Sequence, residues 1–364
     1  MADITAQLVE QVNTARTEGK SLNIVGRGSK AFYGRHADGR HARGEAIAVA
    51  AHQGIVSYQP QELVLTARAG TSLAEINAVL QEQGQMLSFE PPGFGADASI
   101  GGTLACNQSG PSRPWRGSVR DMVLGLRLIN GNGEQLRFGG QVMKNVAGYD
   151  VSRLQAGAMG CLGIITEVSI KVMPRPAASL SLVSECDSAQ RGIEIINRLS
   201  CRSLPLTGAC WLQGKLYLRF AGAAAAVESA ATGICRDYPG TSSLPADNRF
   251  WSQLREQQLE FFSGDSPLWR FSVGSSLSHL LPGADWLIDW GGAQRWLRSA
   301  DHSLQSLNEL VPAGRGEVCG FRHGDRSGEV FPPMAAPLQA LHQRLKAAFD
   351  PARLFNPGRM YAWL

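Results

Sequence analysis

The sequence lacks the features of a membrane-spanning or nucleic-acid-binding protein. No uncharged apolar run approaches the length of about 18 residues that a membrane-spanning helix needs. The net charge is +4, but the basic residues are scattered and form no long run. The N-terminal stretch also lacks the basic-then-apolar order of a secretory signal. These absences predict a cytoplasmic protein, and they leave open a peripheral place on the inner membrane through a complex.

Cysteine is poorly placed for metal centres and disulfides. The 7 Cys residues are scattered, and none forms a C-x-x-C pair. An iron–sulfur cluster is usually held by about four clustered thiolates. Any such cluster must therefore belong to another chain, and we expect the thiols here to be reduced and mostly buried.

Glycine, in contrast, is abundant. The chain has 41 Gly residues, concentrated in residues 26–34, 93–102, 131–140 and 148–163. Glycine lets a backbone approach a ligand closely and adopt positive φ angles. The clusters in the first half of the chain therefore predict a large ligand that is contacted mainly by loops.

Hydrophobic patterns predict an α+β protein with more than one domain. Strands are predicted at 22–25, 46–50, 63–69, 123–130, 164–172, 180–184, 209–213, 215–220, 268–273 and 286–290, with a tight hairpin turn at 131–133. Helices are predicted at 3–18, after the cap residue Ser72, and near 188–199, 222–234, 248–261 and 335–349. The Met173-Pro174-Arg175-Pro176 stretch predicts a domain boundary. We expect a first domain at 1–175 with subdomains at about 1–60 and 61–175, a smaller α+β domain at 176–334, and a returning tail at 335–364.

The first glycine loop, GRGSKA at 26–31, matches a dinucleotide fingerprint only formally. That fingerprint needs a helix to start within the loop, and the following FYGRHADGRHARG has no helical stripe. A P-loop ending at Gly19-Lys20-Ser21 is also excluded, because Thr14 stands where glycine is required. The remaining interpretations are an anion-binding nest assisted by Arg27 and Lys30, or an ordinary glycine turn.

The second glycine loop, SIGGTLACNQSG at 99–110, predicts another anion site. Gly101 and Gly102 open a helix, so we expect the backbone amides there to point at one spot. Asn107, Ser109 and Gly110 would extend a wall of low bulk. Together, the two loops would grip one diphosphate from opposite sides.

Six motifs in order resemble those of a known family: GRGSK, PPGFG, ASIGGTLACNQSG, RGSVRDMVLGLRLINGNGE, KNVAGYDVSRLQAGAMGCLGIITEVSIKV and DPARLFNPGRM. They resemble the PCMH-type, vanillyl-alcohol oxidase-like FAD-binding family, and within it the FAD-binding subunits of bacterial glycolate oxidases. The resemblance covers residues 20–175 and 349–360. It implies FAD as cofactor and a PCMH-type fold of two α+β subdomains beside a smaller α+β domain.

By position, the resemblance implies roles for five groups of residues. The first phosphate loop is Val25, Gly26, Arg27, Gly28, Ser29 and Lys30. The second is Pro92, Gly93, Ala98, Ser99, Ile100, Gly101 and Gly102. The wall along the ribityl chain is Asn107, Ser109 and Gly110, supported by Arg116, Gly117 and Asp121. The adenine side is Gly160, Gly163, Ile164 and Ile165, and the loop beside the flavin ring is Asn356 and Pro357.

Departures from the family pattern carry three further expectations. The first loop has no His, since His36 and His41 lie beyond it, and Cys106 reads as a packed thiol, so we expect non-covalent FAD. The metal-binding motifs of relatives that oxidise 2-hydroxy acids are missing, so we expect no metal in this chain. Arg322 is our candidate for binding the substrate carboxylate, and the adjacent His323 is our candidate general base.

The resemblance implies an oxidoreductase acting on the CH–OH group of a 2-hydroxy acid. The expected role is the FAD-binding subunit of a complex that oxidises glycolate to glyoxylate. Its partners would be a second, larger FAD-containing subunit and an iron–sulfur subunit. Two alternatives stay open: a self-sufficient FAD-dependent 2-hydroxy-acid dehydrogenase, and a non-catalytic structural subunit.

Overall fold

The structure, a computed structural model, describes residues 2–36, 43–95, 97–140, 149–278 and 281–364. His41 and residues 144–148 of the KNVAGYD motif lie outside this description. The chain folds as two compact units. The first comprises Met1–Ser109, Ser118–Pro174 and Asp325–Leu364, and the second Gly110–Gly117 and Arg175–Gly324.

Helices and strands both occur along the whole length of the chain. The helices are α1 (Thr5–Glu18), α2 (Leu73–Glu82), α3 (Ile100–Cys106), α4 (Arg113–Arg116), α5 (Val119–Met122), α6 (Val151–Leu154), α7 (Ala189–Ser200), α8 (Ala224–Asp237), α9 (Phe250–Glu256), α10 (Leu304–Leu310) and α11 (Ala336–Phe349). Short 3₁₀ turns cover Glu260–Phe262 and Trp290–Gly292. The mixed content confirms the predicted α+β class.

The strands of the first unit are β1 (Leu22–Val25), β2 (Glu45–Ala48), β3 (Ile55–Gln59), β4 (Val64–Arg68), β5 (Gln85–Met86), β6 (Val123–Ile129), β7 (Gln135–Gly139), β8 (Ile164–Lys171) and β9 (Met173–Pro174). Those of the second unit are β10 (Ala178–Glu185), β11 (Leu206–Leu212), β12 (Lys215–Gly222), β13 (Ser242–Ser243), β14 (Leu268–Val273), β15 (Trp286–Asp289), β16 (Gln294–Arg298) and β17 (Gly316–Arg322).

Three sheets are described in the first unit, and two of them position the glycine loops, while β5 and β9 form a short antiparallel pair. A parallel pair of β1 and β2 is followed in sequence by an antiparallel sheet of order β3-β4-β8-β6-β7. The central strand β8 is buried along most of its length, as expected for an interior strand rich in β-branched residues. One continuous apolar core joins both sheets to α1, α2 and α3.

Two local predictions in this unit are confirmed. The Ser72 hydroxyl accepts the backbone N–H of Glu75 at 3.0 Å and caps α2. The predicted turn at 131–133 joins β6 to β7 as an antiparallel hairpin. The turn needs glycine because Gly133 has φ +77°, and a side chain there would meet Asn13 Oδ1 at 2.4 Å.

The second unit is built on one antiparallel sheet with the order β13-β10-β12-β11-β15-β16-β14-β17. Helix α7 buries Ile193, Ile196 and Leu199 at the spacing of a helical stripe. Among the residues described, one apolar cluster packs around β10–β12 and another around β14–β16. The described α+β content agrees with the prediction for this part of the chain.

The domain boundaries differ in detail from those predicted. The boundary after Pro174 lies close to the predicted position 175, but the chain returns to the first unit at Asp325 rather than 335. Gly110–Gly117 also belongs to the second unit, because Arg116 donates to the Ala221 carbonyl and Gly110 accepts from Trp290 Nε1. The split of the first domain near residue 60 stays a prediction.

A buried ion pair fastens the returning tail within the first unit. Lys346 on α11 is 0% exposed, and its Nζ donates to Asp350 Oδ2 at 2.7 Å. The same Nζ reaches the carbonyls of Cys161 and Phe355, each at 2.7 Å. Asp350 in turn accepts the amides of Leu354 and Phe355. Both charges are thus paired and hydrogen-bonded, which is the condition for burying them stably.

Candidate functional site

The first unit contains a cavity of about 330 Å³ where both glycine loops and the returning tail meet. This volume lies near the lower end of the range of roughly 300–1,000 Å³ for small-molecule sites. The predicted site residues that line it are Val25, Gly26, Arg27, Gly28, Ser29, Lys30, Ser99, Gly101, Gly102, Gly160, Gly163, Ile165 and Asn356. The two loops therefore share one cavity, as the diphosphate hypothesis requires.

The first loop offers free backbone donors. It begins where β1 ends at Val25, and Gly28 adopts φ +79°, which bends the chain around the cavity. The backbone N–H groups of Arg27, Gly28 and Ser29 donate to no other residue in the part of the chain that the structure describes. Successive free amides of this kind form a concave anion site.

The backbone amides of the second loop do not point where we expected. Its amides are used within the protein: Gly101 donates to the Ala69 carbonyl at 2.9 Å, and Gly102 donates to Ser99 Oγ at 3.3 Å. Ile100 donates to the Thr71 carbonyl at 3.0 Å. The prediction that these amides converge on a ligand is therefore wrong. The start of α3 forms a small-residue wall of the cavity instead.

Gly101 is required by packing rather than by the ligand. A Cβ atom at this position would lie 2.6 Å from Ala69 Cβ and 2.9 Å from its carbonyl oxygen. Helix α3 approaches β4 so closely that only glycine fits between them. Any side chain at Gly101 would push α3 off β4, and only through that shift would it disturb the cavity.

Cations surround the cavity and no carboxylate lines it among the described residues. Lys30 is 8% exposed, and its Nζ lies 3.3 Å from Ser29 Oγ. Arg359 donates to the Ala31 carbonyl at 2.7 Å, and burial lowers the pKa of its guanidinium. Arg27 is partly neutralised by its ion pair with Asp97. The net positive lining suits a diphosphate.

The tail closes the cavity through Asn356. Its Nδ2 donates to the Met159 carbonyl at 2.6 Å, and its Oδ1 accepts the Ile24 amide at 2.7 Å. Its own backbone N–H donates to the Leu22 carbonyl at 2.8 Å. Asn356 therefore joins the tail to β1 and to the turn before Gly160, with both ends of its side chain engaged.

Several predicted site residues do not line this cavity. Ala98, Ile100 and Ile164 are buried in the apolar core. The Asp121 carboxylate accepts the backbone N–H and the hydroxyl of Ser118, each at 2.8 Å, and so caps α5. The remainder also fall outside its lining: Pro92, Gly93, Asn107, Ser109 and, in the second unit, Gly110, Arg116 and Gly117. Pro357 borders a separate cavity with Arg353.

Sequence reasoning missed other residues that line the cavity: Asn23, Ile24, Ala31, His36, Val49, Ala69, Ala105, Cys106, Met159 and Arg359. His36 Nε2 lies 2.9 Å from the Ala31 carbonyl oxygen. Burial raises the pKa of the Cys106 thiol, although Lys30 and Arg359 oppose that shift. A thiol with a raised pKa is a weak nucleophile, which favours non-covalent binding.

The candidate catalytic pair lies in the second unit. Arg322 ends β17, and burial, with Arg298 nearby, lowers the pKa of its guanidinium. His323 follows with φ +60°, a backbone conformation that is uncommon for residues other than glycine. Eleven described residues other than glycine share a positive φ, so this conformation does not by itself mark His323 as functional.

Comparisons with known proteins agree with this site. Residues 2–139 match the FAD_binding_4 family model, described as an FAD binding domain. The chain is 47% identical over 363 residues to the Glycolate oxidase subunit GlcE of Escherichia coli (strain K12), covering 100% of this chain and 99% of that one. The chain belongs to the GlcE family of FAD-binding proteins. Its cofactor is FAD.

More distant relatives share part or most of the chain. The Glycolate oxidase subunit GlcD of Bacillus subtilis (strain 168) is 30% identical over 156 residues, which is 42% of this chain and 33% of that one. The mitochondrial D-2-hydroxyglutarate dehydrogenase of Bos taurus is 26% identical and covers 84% of this chain and 66% of that one. A solved alkyldihydroxyacetonephosphate synthase gives a TM-score of 0.67 at 15% identity, over 97% of this chain and 75% of that one. It shows a shared fold.

The donor set of the cavity fits FAD. Free amides of the first loop, with Lys30 and Arg359, would hold the diphosphate. The small residues of α3 would let the extended cofactor lie against the wall. Among the described residues, no group of three His, Cys, Asp or Glu side chains could hold a metal ion, and no helix is long and apolar enough to cross a membrane.

Proposed function

We propose that this GlcE-family chain is the FAD-binding subunit of a complex that oxidises glycolate to glyoxylate. The similarity to Glycolate oxidase subunit GlcE along nearly the whole chain carries the proposal. The proposed partners are a larger FAD-containing subunit similar to GlcD and an iron–sulfur subunit. Because the seven Cys residues are scattered, the cluster would be supplied by the latter.

The chemistry removes two electrons and two protons from glycolate. Bound flavin can accept a hydride and pass on single electrons, so it can link a two-electron oxidation to an iron–sulfur acceptor. The residues of this chain would hold the cofactor by its diphosphate, through the first loop and Lys30. We further propose that binding is non-covalent, since Cys106 is a buried thiol and the first loop lacks His.

A second candidate is a self-sufficient 2-hydroxy-acid dehydrogenase. It is favoured by the adjacency of His323 and the half-buried Arg322 at the end of β17. In that candidate, Arg322 would bind the substrate carboxylate and His323 would take the hydroxyl proton, while the α-hydrogen would be transferred as hydride to bound flavin. The two candidates differ in whether this chain alone performs the oxidation.

We expect the isolated, FAD-loaded chain to turn over glycolate poorly, and the reconstituted complex to turn it over well. The measurement is reduction of a dye acceptor by each preparation. Rapid turnover by the isolated chain would refute the subunit proposal. In that case, His323→Ala should lower the rate by roughly 100-fold or more, the usual contribution of a general base. The control is His302→Ala, because His302 is a histidine of the same unit whose ring is hydrogen-bonded to Ser299.

A further inference from the structure

Helix α11 presents an exposed apolar row. The only side chain that the helix fully buries is Lys346. Leu338 and Leu341 are 45% and 43% exposed, and Leu345 is half-buried. The three leucines follow the i, i+3, i+7 spacing, which places them on one face of the helix. We call these three residues the leucine row.

The leucine row is not used by the core of its own unit. In the part of the chain that the structure describes, that core includes Phe349 at the end of α11 but none of the three leucines. Apolar side chains gain free energy when they leave water, and contiguous exposed ones often mark an interaction site. The row is therefore a surface that a partner could cover.

One cation borders the leucine row. Arg344 lies three residues after Leu341 and directly before Leu345, and it is exposed. Its guanidinium makes no ion pair or hydrogen bond with any residue that the structure describes. The helix contains no Asp or Glu that could neutralise it. A partner that covers the row would thus meet an unpaired positive charge at its edge.

The last turn of α11 is held firmly while the leucine row projects from the turns before it. Lys346 makes its three buried hydrogen bonds there, and Phe349 packs edge-on against Phe138 with ring centroids 6.1 Å apart. A helix whose last turn is held in place and whose earlier turns expose an apolar row matches the helix-in-groove mode of recognition. In that mode, residues at i, i+3 and i+7 are the anchors.

From this arrangement we infer that α11 docks into an apolar groove with an acidic rim on the GlcD-like partner subunit. The inference rests on the proposed function, which supplies the partner. The leucine row would fill the groove, and Arg344 would pair with a carboxylate at its edge. An interface of roughly 1,200–2,000 Å² needs more than one helix row, so α11 is one anchor of a larger contact.

Charge disfavours a second copy of this chain as the occupant. A two-fold contact places the same patch on itself. If two antiparallel α11 helices met at Leu341, each Arg344 would face Leu338 of the other copy, and neither helix has a carboxylate to pair with it. A membrane surface fits less well, because the leucine row is short and contains no aromatic residue.

The test compares binding of the GlcD-like subunit by the full-length, FAD-loaded chain and three variants. We expect Leu338→Glu with Leu341→Glu to weaken binding at least tenfold. Arg344→Glu should weaken it by about fivefold or more and reduce its dependence on salt, as reversal of a rim charge does. Val56→Glu, at another exposed apolar residue on β3 that is 46% exposed, should bind like the parent. FAD content and melting temperature should match the parent in every variant.

The outcomes separate this inference from the proposed function. If the parent binds the partner and the leucine and arginine variants bind equally well, the docking helix is refuted while the subunit role stands. If the parent binds no GlcD-like subunit, both proposals fail. Two other results would also overturn the assigned occupant. One is a homodimer of the parent, seen by light scattering, that the leucine variant no longer forms. The other is binding of the parent to phosphatidylglycerol vesicles that the leucine variant no longer shows.

Discussion

Replacing Lys346 with methionine is expected to destabilise the chain by about 3–5 kcal/mol, the usual cost of breaking a buried ion pair. The methionine would fill much of the space of the lysine stem but would leave three acceptors without their donor. Among them is the Asp350 carboxylate, which is 0% exposed and would keep only the amides of Leu354 and Phe355. The free energy of unfolding, measured by urea titration, checks the prediction.

Arg344→Met is the matched control, because it removes a cation from the same helix at an exposed position. Its free energy of unfolding should stay within about 0.5 kcal/mol of the parent. The Lys346 variant should also retain less FAD, since the tail that it loosens carries Asn356 and Arg359 to the cavity. Equal stability of the Lys346 and Arg344 variants would show that the pair does not fasten the tail.

Replacing Lys30 with methionine is expected to weaken FAD binding by roughly 10- to 150-fold. This range follows from roughly 1.5–3 kcal/mol for a hydrogen bond to a charged group, at about 1.4 kcal/mol per tenfold. Lys30 is the last residue of the first phosphate loop and is nearly buried, so solvent ions screen its charge poorly. Fluorescence titration of the apo-protein with FAD measures the change in Kd.

A lysine elsewhere in the same unit controls for charge alone. Lys20 is exposed, pairs with Glu18 and Glu45, and lies outside this cavity, so Lys20→Met should leave the Kd within about twofold of the parent. If Lys30→Met also left the Kd unchanged, Lys30 would have no part in holding the diphosphate.

Much of the fold could be predicted because its signals are local. The strand at 22–25, the Ser72 cap and the hairpin at 131–133 depend on neighbouring residues, and the structure confirms them. Strands β16 and β17 were not predicted. In β16, Arg295 and Arg298 interrupt the apolar pattern. In β17, Glu317 and two glycines interrupt it. Pairing with β14 makes both of them strands.

The site was predicted in part for the same reason. The glycine loops are visible in the sequence, and both line the cavity. The direction of the α3 amides was wrong partly because two of their acceptors, Ala69 and Thr71, lie about 30 residues back in the chain, whereas the third, Ser99, is local. Arg359 was missed because only the returning tail brings it to the first loop, where it bonds to Ala31. Such long-range contacts leave no periodic trace in a sequence.

The most direct test of the central claim, that the first loop and its cations hold the cofactor by its diphosphate, is to compare the affinities of the apo-protein for FAD and for riboflavin. The account predicts one FAD per chain, released intact by acid, with riboflavin bound at least about 100-fold more weakly because it lacks the diphosphate and the adenosine that the diphosphate carries. Equal affinity for the two flavins, or no binding of FAD, would contradict it.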